Sequence, residues 1–212
     1  MLAKTYGSAV YGVNAFIITI EVDVGQGTQF FMVGLPDSAV KESQQRVEAA
    51  IKFFNYQMPR QKVVVNLAPA DIKKEGSFYD LPIALAILSA SNQVDLPALD
   101  EYLVMGELSL DGQLRPLRGI LPIAIEARKN GFKGFILPKE NAREAAIVDQ
   151  LEVIGVTNIK EAVEHLNGKN IIAPMQYDTR ETFEFYQNEY EVDFSDVQGQ
   201  ENIKRAFEIA AA

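Results

Sequence analysis

The residues that could do chemistry are few and crowd one stretch. Lys73-Lys74-Glu75-Gly76-Ser77 is polar and Gly-containing, and Asp80 follows it closely. A serine becomes a nucleophile when a desolvated lysine or a histidine takes its proton. Ser77 beside Lys73 or Lys74 is the Ser–Lys candidate of this chain. Both lysines lie in a polar run, so they are expected to be exposed, protonated and poor bases. His165 is the only histidine. It sits between Glu164 and Leu166 on a predicted helix, where a surface or partly packed role fits better than metal ligation. A Ser–His–Asp triad would need it, and no Gly-x-Ser-x-Gly elbow occurs. No metal site stands out. Glu75, Asp80, Glu107 and Asp111 fall at loop and strand ends, where a cap and a turn account for Asp80 and Asp111. With no cysteine, disulfides and thiolate chemistry are excluded.

Composition bounds the partners. The chain has 212 residues, 48% of them hydrophobic and 23% charged, which is ordinary for a soluble globular protein able to bury a core without staples. Its net charge of −9, from 20 basic and 29 acidic residues, argues against gripping nucleic acid through bulk electrostatics and leaves only a local basic patch. The longest apolar run, Leu81–Ala90, is interrupted by Pro82 and is far shorter than the roughly 20 residues of a membrane helix. Met1–Tyr11 has no clean apolar region of a signal peptide. A cytoplasmic location is expected.

The stretch 105–141 organises the elements that must position these residues. Leu108 and Leu110 alternate with polar neighbours and predict a half-buried strand. Asp111-Gly112 predicts a tight primed turn with positive φ at both central residues. Leu114 starts the return strand and Pro116 ends it. Ile120–Asn130 reads as a helix with Pro122 in its first turn and Gly131 at its C-cap, and Gly134–Leu137 as a short strand. Upstream, Ala9–Val24 predicts one or two strands broken at 12–14. Gly25-Gln26-Gly27 predicts a hairpin turn into a returning strand over Gln29–Val33; no helix follows it, so a phosphate loop fits less well.

Pro36 and Asp37 open a helix with Val40, Val47, Ala50, Ile51 and Phe54 as its buried stripe. Lys41, Glu42, Gln44, Gln45, Arg46 and Glu48 make its wet face, either solvated or a partner surface. Lys62–Leu67 reads as a strand, and Asp80 as the cap of a helix over Leu81–Ser91 with Pro82 at its first position. Beyond Pro138 come a helix over Glu140–Val148, a strand over Leu151–Val156 and a helix over Ile159–Leu166 stopped by Gly168. Asn170–Glu191, aromatic and acidic, is expected to be a linker lying over a surface. Val192–Ala212 starts something new: Ser195 caps a turn, and Ile203, Ala206, Phe207 and Ala210 form a helical stripe. A helix that stops uncapped at Ala212 reads as a fragment boundary.

The sequence GELSLDGQLRPLRGILPIAIEARKNGFKGFILPKEN, preceded by KKEGSFYDLPIALAIL, resembles the proteolytic domain of Lon. That domain carries its serine in Asp-Gly-Pro-Ser-Ala-Gly. Laid on Glu75–Asp80, the serine position falls on Phe78, and Lon's catalytic lysine falls near Leu121. Both members of the dyad are missing and Ser77 is one position off, so the resemblance implies a Lon-like fold without Lon-like proteolysis. VGLPDSAVKESQQRVEAAI, VNLAPADIKKEGSFYDLPIALAIL and the 105–141 stretch together resemble the ComM/YifB family of Mg-chelatase-like AAA+ ATPases over most of residues 1–167.

That resemblance implies an α+β fold, a two-layer α/β domain like the Lon protease domain and the second domain of a ribosomal protein. It would span 1–168, followed by an acidic, aromatic linker at 169–192 and the start of an AAA+ module at 193–212. Val197, Gly199 and Gln200 would line the adenine side of a nucleotide pocket in the full-length protein. No Gly-x-x-x-x-Gly-Lys-[Ser/Thr] stretch occurs, so this chain brings no phosphate cradle and no cofactor; ATP and Mg are expected for the full-length protein. The implied activity is a hexameric, ATP-driven DNA motor serving branch migration and natural transformation. The domain itself would scaffold ring assembly, dock a partner or guide DNA. Lys73, Lys74, Arg115 and Arg118, with Arg128 and Lys129, are the candidate contacts for DNA or a partner, provided they gather on one face. An ATP-dependent Ser–Lys protease using Ser77, and a subunit of a metal chelatase, are the alternatives.

Overall fold

The computed structural model describes residues 1–12, 14–177 and 197–211. The chain divides into two units, Met1–Tyr177 and Asp178–Ala212. In the second, the described part holds one helix, α7 (Glu201–Ala211), which carries the predicted Ile203–Ala210 stripe. Ser195 and residues 178–191 of the predicted linker lie outside the described residues.

The first unit opens with β1 (Leu2–Tyr11) and β2 (Asn14–Gly25), an antiparallel hairpin in register from Leu2↔Asp23 to Tyr11↔Asn14. The predicted break falls between the last pair of this hairpin, Tyr11↔Asn14. Alternation along β2 buries Ile18, Ile20, Val22 and Val24 against one core. The strand after Gly25-Gln26-Gly27 does not return along β2. β3 (Phe30–Val33) instead pairs in parallel with the far side of β4 (Lys62–Ala68), and β4 takes the place beside β2. Burial explains the exchange. Val63, Val65 and Leu67 are buried in β4, whereas Phe31 and Val33 are 42% and 46% exposed, so the longer, more buried strand holds the inner position.

On the other side of β1 come β5 (Tyr102–Val104), β8 (Gly134–Pro138) and β9 (Glu152–Val156), giving the order β3-β4-β2-β1-β5-β8-β9. Four of the six described pairings in this sheet are parallel. Between β5 and β8 lies a small hairpin, β6 (Glu107–Leu108) and β7 (Leu114–Arg115). Its turn is longer than the predicted tight one. Gly112 has positive φ and Asp111 does not, and Leu110 stands out in the turn rather than in a strand.

Two layers do not describe the whole. Helices cover both faces of the sheet. On one face lie α2 (Ser43–Phe53), α3 (Asp80–Ala90) and α6 (Ile159–Leu166), packed on Val104, Ile136 and Ile154. On the other, α4 (Ile120–Lys129) and α5 (Ala142–Ala145) pack on Leu103, Phe135 and Val153. Consecutive residues of β5, β8 and β9 thus feed opposite cores, as in a sheet covered on both sides. The α3 helix is apolar nearly all round and is buried along its length except at Ser89. The helix predicted after Asp37 is split: Asp37 caps α1 (Ser38–Lys41) by accepting the Val40 N–H at 2.7 Å, and the chain breaks at Glu42 before α2. The helix predicted over Glu140–Val148 shrinks to a 3₁₀ turn at Lys139–Asn141 and α5, because the Asn141 side chain is held by both backbone groups of Leu117. Residues 167–177 stay on the sheet, where the Met175 N–H donates to the Val153 carbonyl at 2.8 Å. Among the described residues no helix is long and apolar enough to cross a membrane.

Gly34 joins β3 to α1 with φ of +99°, and a methyl group there would overlap the Leu67 carbonyl oxygen. Gly34→Ala should therefore cost about 3 kcal/mol or more in urea unfolding. Gly12→Ala, also at positive φ but with open space around it, should cost only about 1 kcal/mol.

Candidate functional site

The polar stretch 73–80 forms a loop that is fastened on two sides. On one side it pairs with the chain entering α1: the Asp37 N–H donates to the Lys74 carbonyl at 3.0 Å, the Lys74 N–H to the Leu35 carbonyl at 3.1 Å, and the Gly76 N–H to Asp37 Oδ2 at 3.3 Å. On the other side it is stitched to the start of the small hairpin. The Gly106 N–H donates to the Phe78 carbonyl and the Leu81 N–H to the Gly106 carbonyl, both at 2.9 Å.

The two lysines separate. Lys73 is exposed, as expected, and pairs with Glu75 at 2.6 Å. Lys74, expected on the surface, is fully buried; its ammonium donates to the Pro69 carbonyl, and desolvation holds its pKa below the ordinary lysine value. Pairing of its backbone with residues 35–37 draws the side chain inward, so it cannot serve as a surface contact for DNA or a partner. Ser77 points the other way: its hydroxyl donates to Glu107 Oε2, while Arg115 Nε lies 3.9 Å from Glu107 Oε1. No hydrogen bond among the described residues joins Ser77 to Lys74. A buried lysine and a serine committed to a carboxylate are neighbours in sequence but are not joined here.

Asp80 does not cap α3. It is the first residue of the helix, and its carboxylate is buried in a bidentate pair with Arg46, Nε to Oδ2 at 2.6 Å and Nη2 to Oδ1 at 2.9 Å. It also accepts the Leu108 N–H at 3.1 Å. Arg46 Nη2 further donates to the Ala39 carbonyl. Burial pushes the Asp80 carboxyl up to about 6, against the pull of the guanidinium and of the Leu108 N–H. Arg46 belongs to the predicted wet face of α2 and is the residue that sequence reasoning missed. Its one signal is its place beside Val47 at the margin of the buried stripe.

The positions that the Lon resemblance assigns to a nucleophile and its base hold apolar side chains. Phe78 and Leu121 are both half-buried and packed on the same core cluster. Each lines a cleft: one of about 430 Å³ between the end of β1, Asp37 and the 73–79 loop, the other of about 360 Å³ between the β1–β2 turn and α4. Three of the six basic candidates are paired with carboxylates. Lys73 faces Glu75, Arg115 faces Glu107 and Lys129 lies 3.8 Å from Glu126, leaving Arg118 and Arg128 exposed without an ion pair among the described residues. His165 is partly packed: its Nδ1 accepts the Ile172 N–H at 3.1 Å, its ring meets Tyr102 edge-on, and burial lowers its pKa. Among the described residues no cluster of carboxylates and histidines could hold a metal ion. Val197, Gly199 and Gln200 lead into α7, with positive φ at the last two. They supply no phosphate-binding loop.

Fold and site together define a mixed α/β domain with a mostly parallel sheet and a serine-bearing loop set beside a cleft. The chain matches the family of subunit ChlI of Mg-chelatase over residues 20–141. Over its whole length it is similar to the competence protein ComM of Haemophilus influenzae, at 38% identity and 42% of that protein, and to the protein YifB of Escherichia coli, at 40% identity and 41% of that protein. Half of it, at 34% identity over 107 residues, is similar to 22% of the DNA repair protein RadA of Aquifex aeolicus. It belongs to the ComM/YifB family of Mg-chelatase-like proteins, and spans about two fifths of the length of those two relatives.

Arg46→Met leaves the Asp80 carboxylate buried without its partner and should cost about 3 kcal/mol at neutral pH. The sign with pH is fixed by the raised carboxyl. Folded Asp80 holds its proton more tightly than the ordinary 3.8, so its contribution to stability is fully present below 3.8 and is lost as pH rises through about 6. Both contributions of Arg46 lower that value. In Arg46→Met the Asp80 midpoint, read from the side-chain carbon by NMR, should move up, and the stability deficit should shrink as the pH is lowered.

Proposed function

We propose that residues 1–168 are a Lon-like, non-catalytic domain of a Mg-chelatase-like AAA+ ATPase, joined by a linker at 169–192 to an ATPase module that begins near residue 193. The full-length protein would be an ATP-driven DNA motor, working in branch migration and natural transformation, cytoplasmic, and assembled as a ring of like protomers. Val197, Gly199 and Gln200 would approach adenine there, with ATP and Mg held by the remainder of the protein. The observation that carries the non-catalytic reading is the loop itself: Phe78 and Leu121 stand where a nucleophile and base are needed, and the Ser77 hydroxyl is committed to Glu107. Support for the DNA role comes from family membership and from the partial similarity to a DNA repair protein. The domain's part is scaffolding or partner docking. Direct contact with DNA would fall to Arg118 and Arg128, because the other basic candidates are buried or paired.

A protease reading draws one point from the structure, the buried Lys74 with its lowered pKa. It still requires Ser77 to turn from Glu107 to that lysine. The chelatase reading draws no support from a metal cluster among the described residues.

The full-length protein should hydrolyse ATP faster when DNA is added. Ser77→Ala should leave both this rate and any casein turnover unchanged; casein turnover abolished by Ser77→Ala would establish the protease instead. Charge reversal at Arg115 should leave DNA binding near wild type because Glu107 already faces it, whereas a drop on reversing Arg118 would place DNA on this domain.

A further inference from the structure

The ten residues of β1 pair with β2 throughout, but β1 pairs with β5 only at Tyr6↔Leu103. After Val104 the chain leaves the sheet to meet the Phe78–Leu81 segment, so the last residues of β1 have no described strand on that side. Backbone direction follows from the register. In an antiparallel pair, every second residue turns its N–H and C=O away from the partner strand. The Ser8 carbonyl accepts the Tyr79 hydroxyl at 3.1 Å, which marks Ser8 as one of the outward set. Val10, two residues on, belongs to the same set, and none of its outward backbone groups has a partner among the described residues. Its side chain is 37% exposed and that of Tyr11 is 45% exposed.

This open edge is one wall of the 430 Å³ cleft. The facing wall is Phe78 and Tyr79, with Ala39 at the end and Asp37, Lys73 and Glu75 at the rim. The polar rim is already satisfied. Asp37 accepts from the Val40 and Gly76 N–H groups, Lys73 pairs with Glu75, and the Tyr11 hydroxyl donates to the Lys73 carbonyl at 2.7 Å. What remains unmet is one edge of backbone donors and acceptors beside an apolar floor. A bare strand edge is complemented by another strand. The two carboxylates at the rim, on a chain of net charge −9, repel a phosphate backbone.

We propose that this cleft binds an extended peptide segment of a partner protein, which adds to β1 at Val10 and seats an apolar side chain between Val10 and Phe78. The inference stands on the cleft alone and holds whether or not the full-length protein moves DNA.

The probes are fluorescein-labelled ten-residue peptides of Thr and Val with Phe, Leu, Lys or Asp at the centre, added to the 212-residue chain. The Phe and Leu peptides should bind, and the Val10 amide should exchange with solvent more slowly in their presence. Removing one edge hydrogen bond should weaken binding about tenfold, whether by Val10→Pro or by N-methylation of the peptide facing Val10. Ala39→Trp should weaken it by filling the cleft, without a change in melting temperature, and guards against a Val10→Pro chain that does not fold. Absence of binding by every peptide, or binding indifferent to both Ala39→Trp and N-methylation, overturns the proposal, as does equal displacement by a single-stranded oligonucleotide.

Discussion

The buried pair between Arg46 and Asp80 is the interaction on which the arrangement of the site depends. Asp80 is the first residue of a helix that is apolar almost all round, so a charge there is tolerated only with strong partners. It has three, from α2 and from the small hairpin: two guanidinium N–H groups and the Leu108 N–H. The same guanidinium reaches the Ala39 carbonyl in α1. One charged contact therefore fixes α1, α2, α3 and the hairpin to each other. The loop at 73–79 enters α3 from this corner and is held there by backbone bonds to Leu35, Asp37 and Gly106.

A loop fixed in this way retains its shape whatever its side chains do. Its backbone bonds run to Leu35, Asp37 and Gly106, and none of them involves the side chain of Ser77 or Phe78. The Phe78 ring packs on the existing core and lines the cleft without altering those bonds. Lys74 shows the same logic from inside. Its ammonium satisfies a buried carbonyl, which gives it a structural reason to be a lysine independent of any proton transfer.

How much was legible in the sequence follows the range of the forces involved. Strands and helices with strong local periodicity, such as Ile159–Leu166 or Lys62–Ala68, lie within a residue or so of where the pattern puts them, because their cause is local. The partner of each strand is not local. Gly25-Gln26-Gly27 signals a reversal equally well whether the chain returns beside β2 or crosses to the far side of β4. Only the greater burial of β4 decides that, and it lies some thirty residues further on. Lys74 and Arg46 were misplaced for a related reason. A polar residue in a polar run looks wet until a distant segment covers it, and neither Leu35–Asp37 nor Asp80 is within a helical turn of the residue it draws in.

Charge placement narrows what such a domain could touch. Three of the six basic candidates face carboxylates at ion-pair distance and one is buried, so the cationic surface that phosphate binding requires is largely cancelled within the fold. Exposed pairs of this kind add little stability, and their main effect is to flatten the local field. What the fold leaves uncancelled is of another kind: the end of β1 with an unpaired backbone edge, and the half-exposed Val10, Tyr11 and Phe16 around it. These groups gain most from polypeptide, whose backbone matches the edge and whose apolar side chains match the floor, and least from a polyanion. The loop and the open strand edge thus stand side by side, one already fastened by its own backbone bonds and the other still unpaired among the described residues.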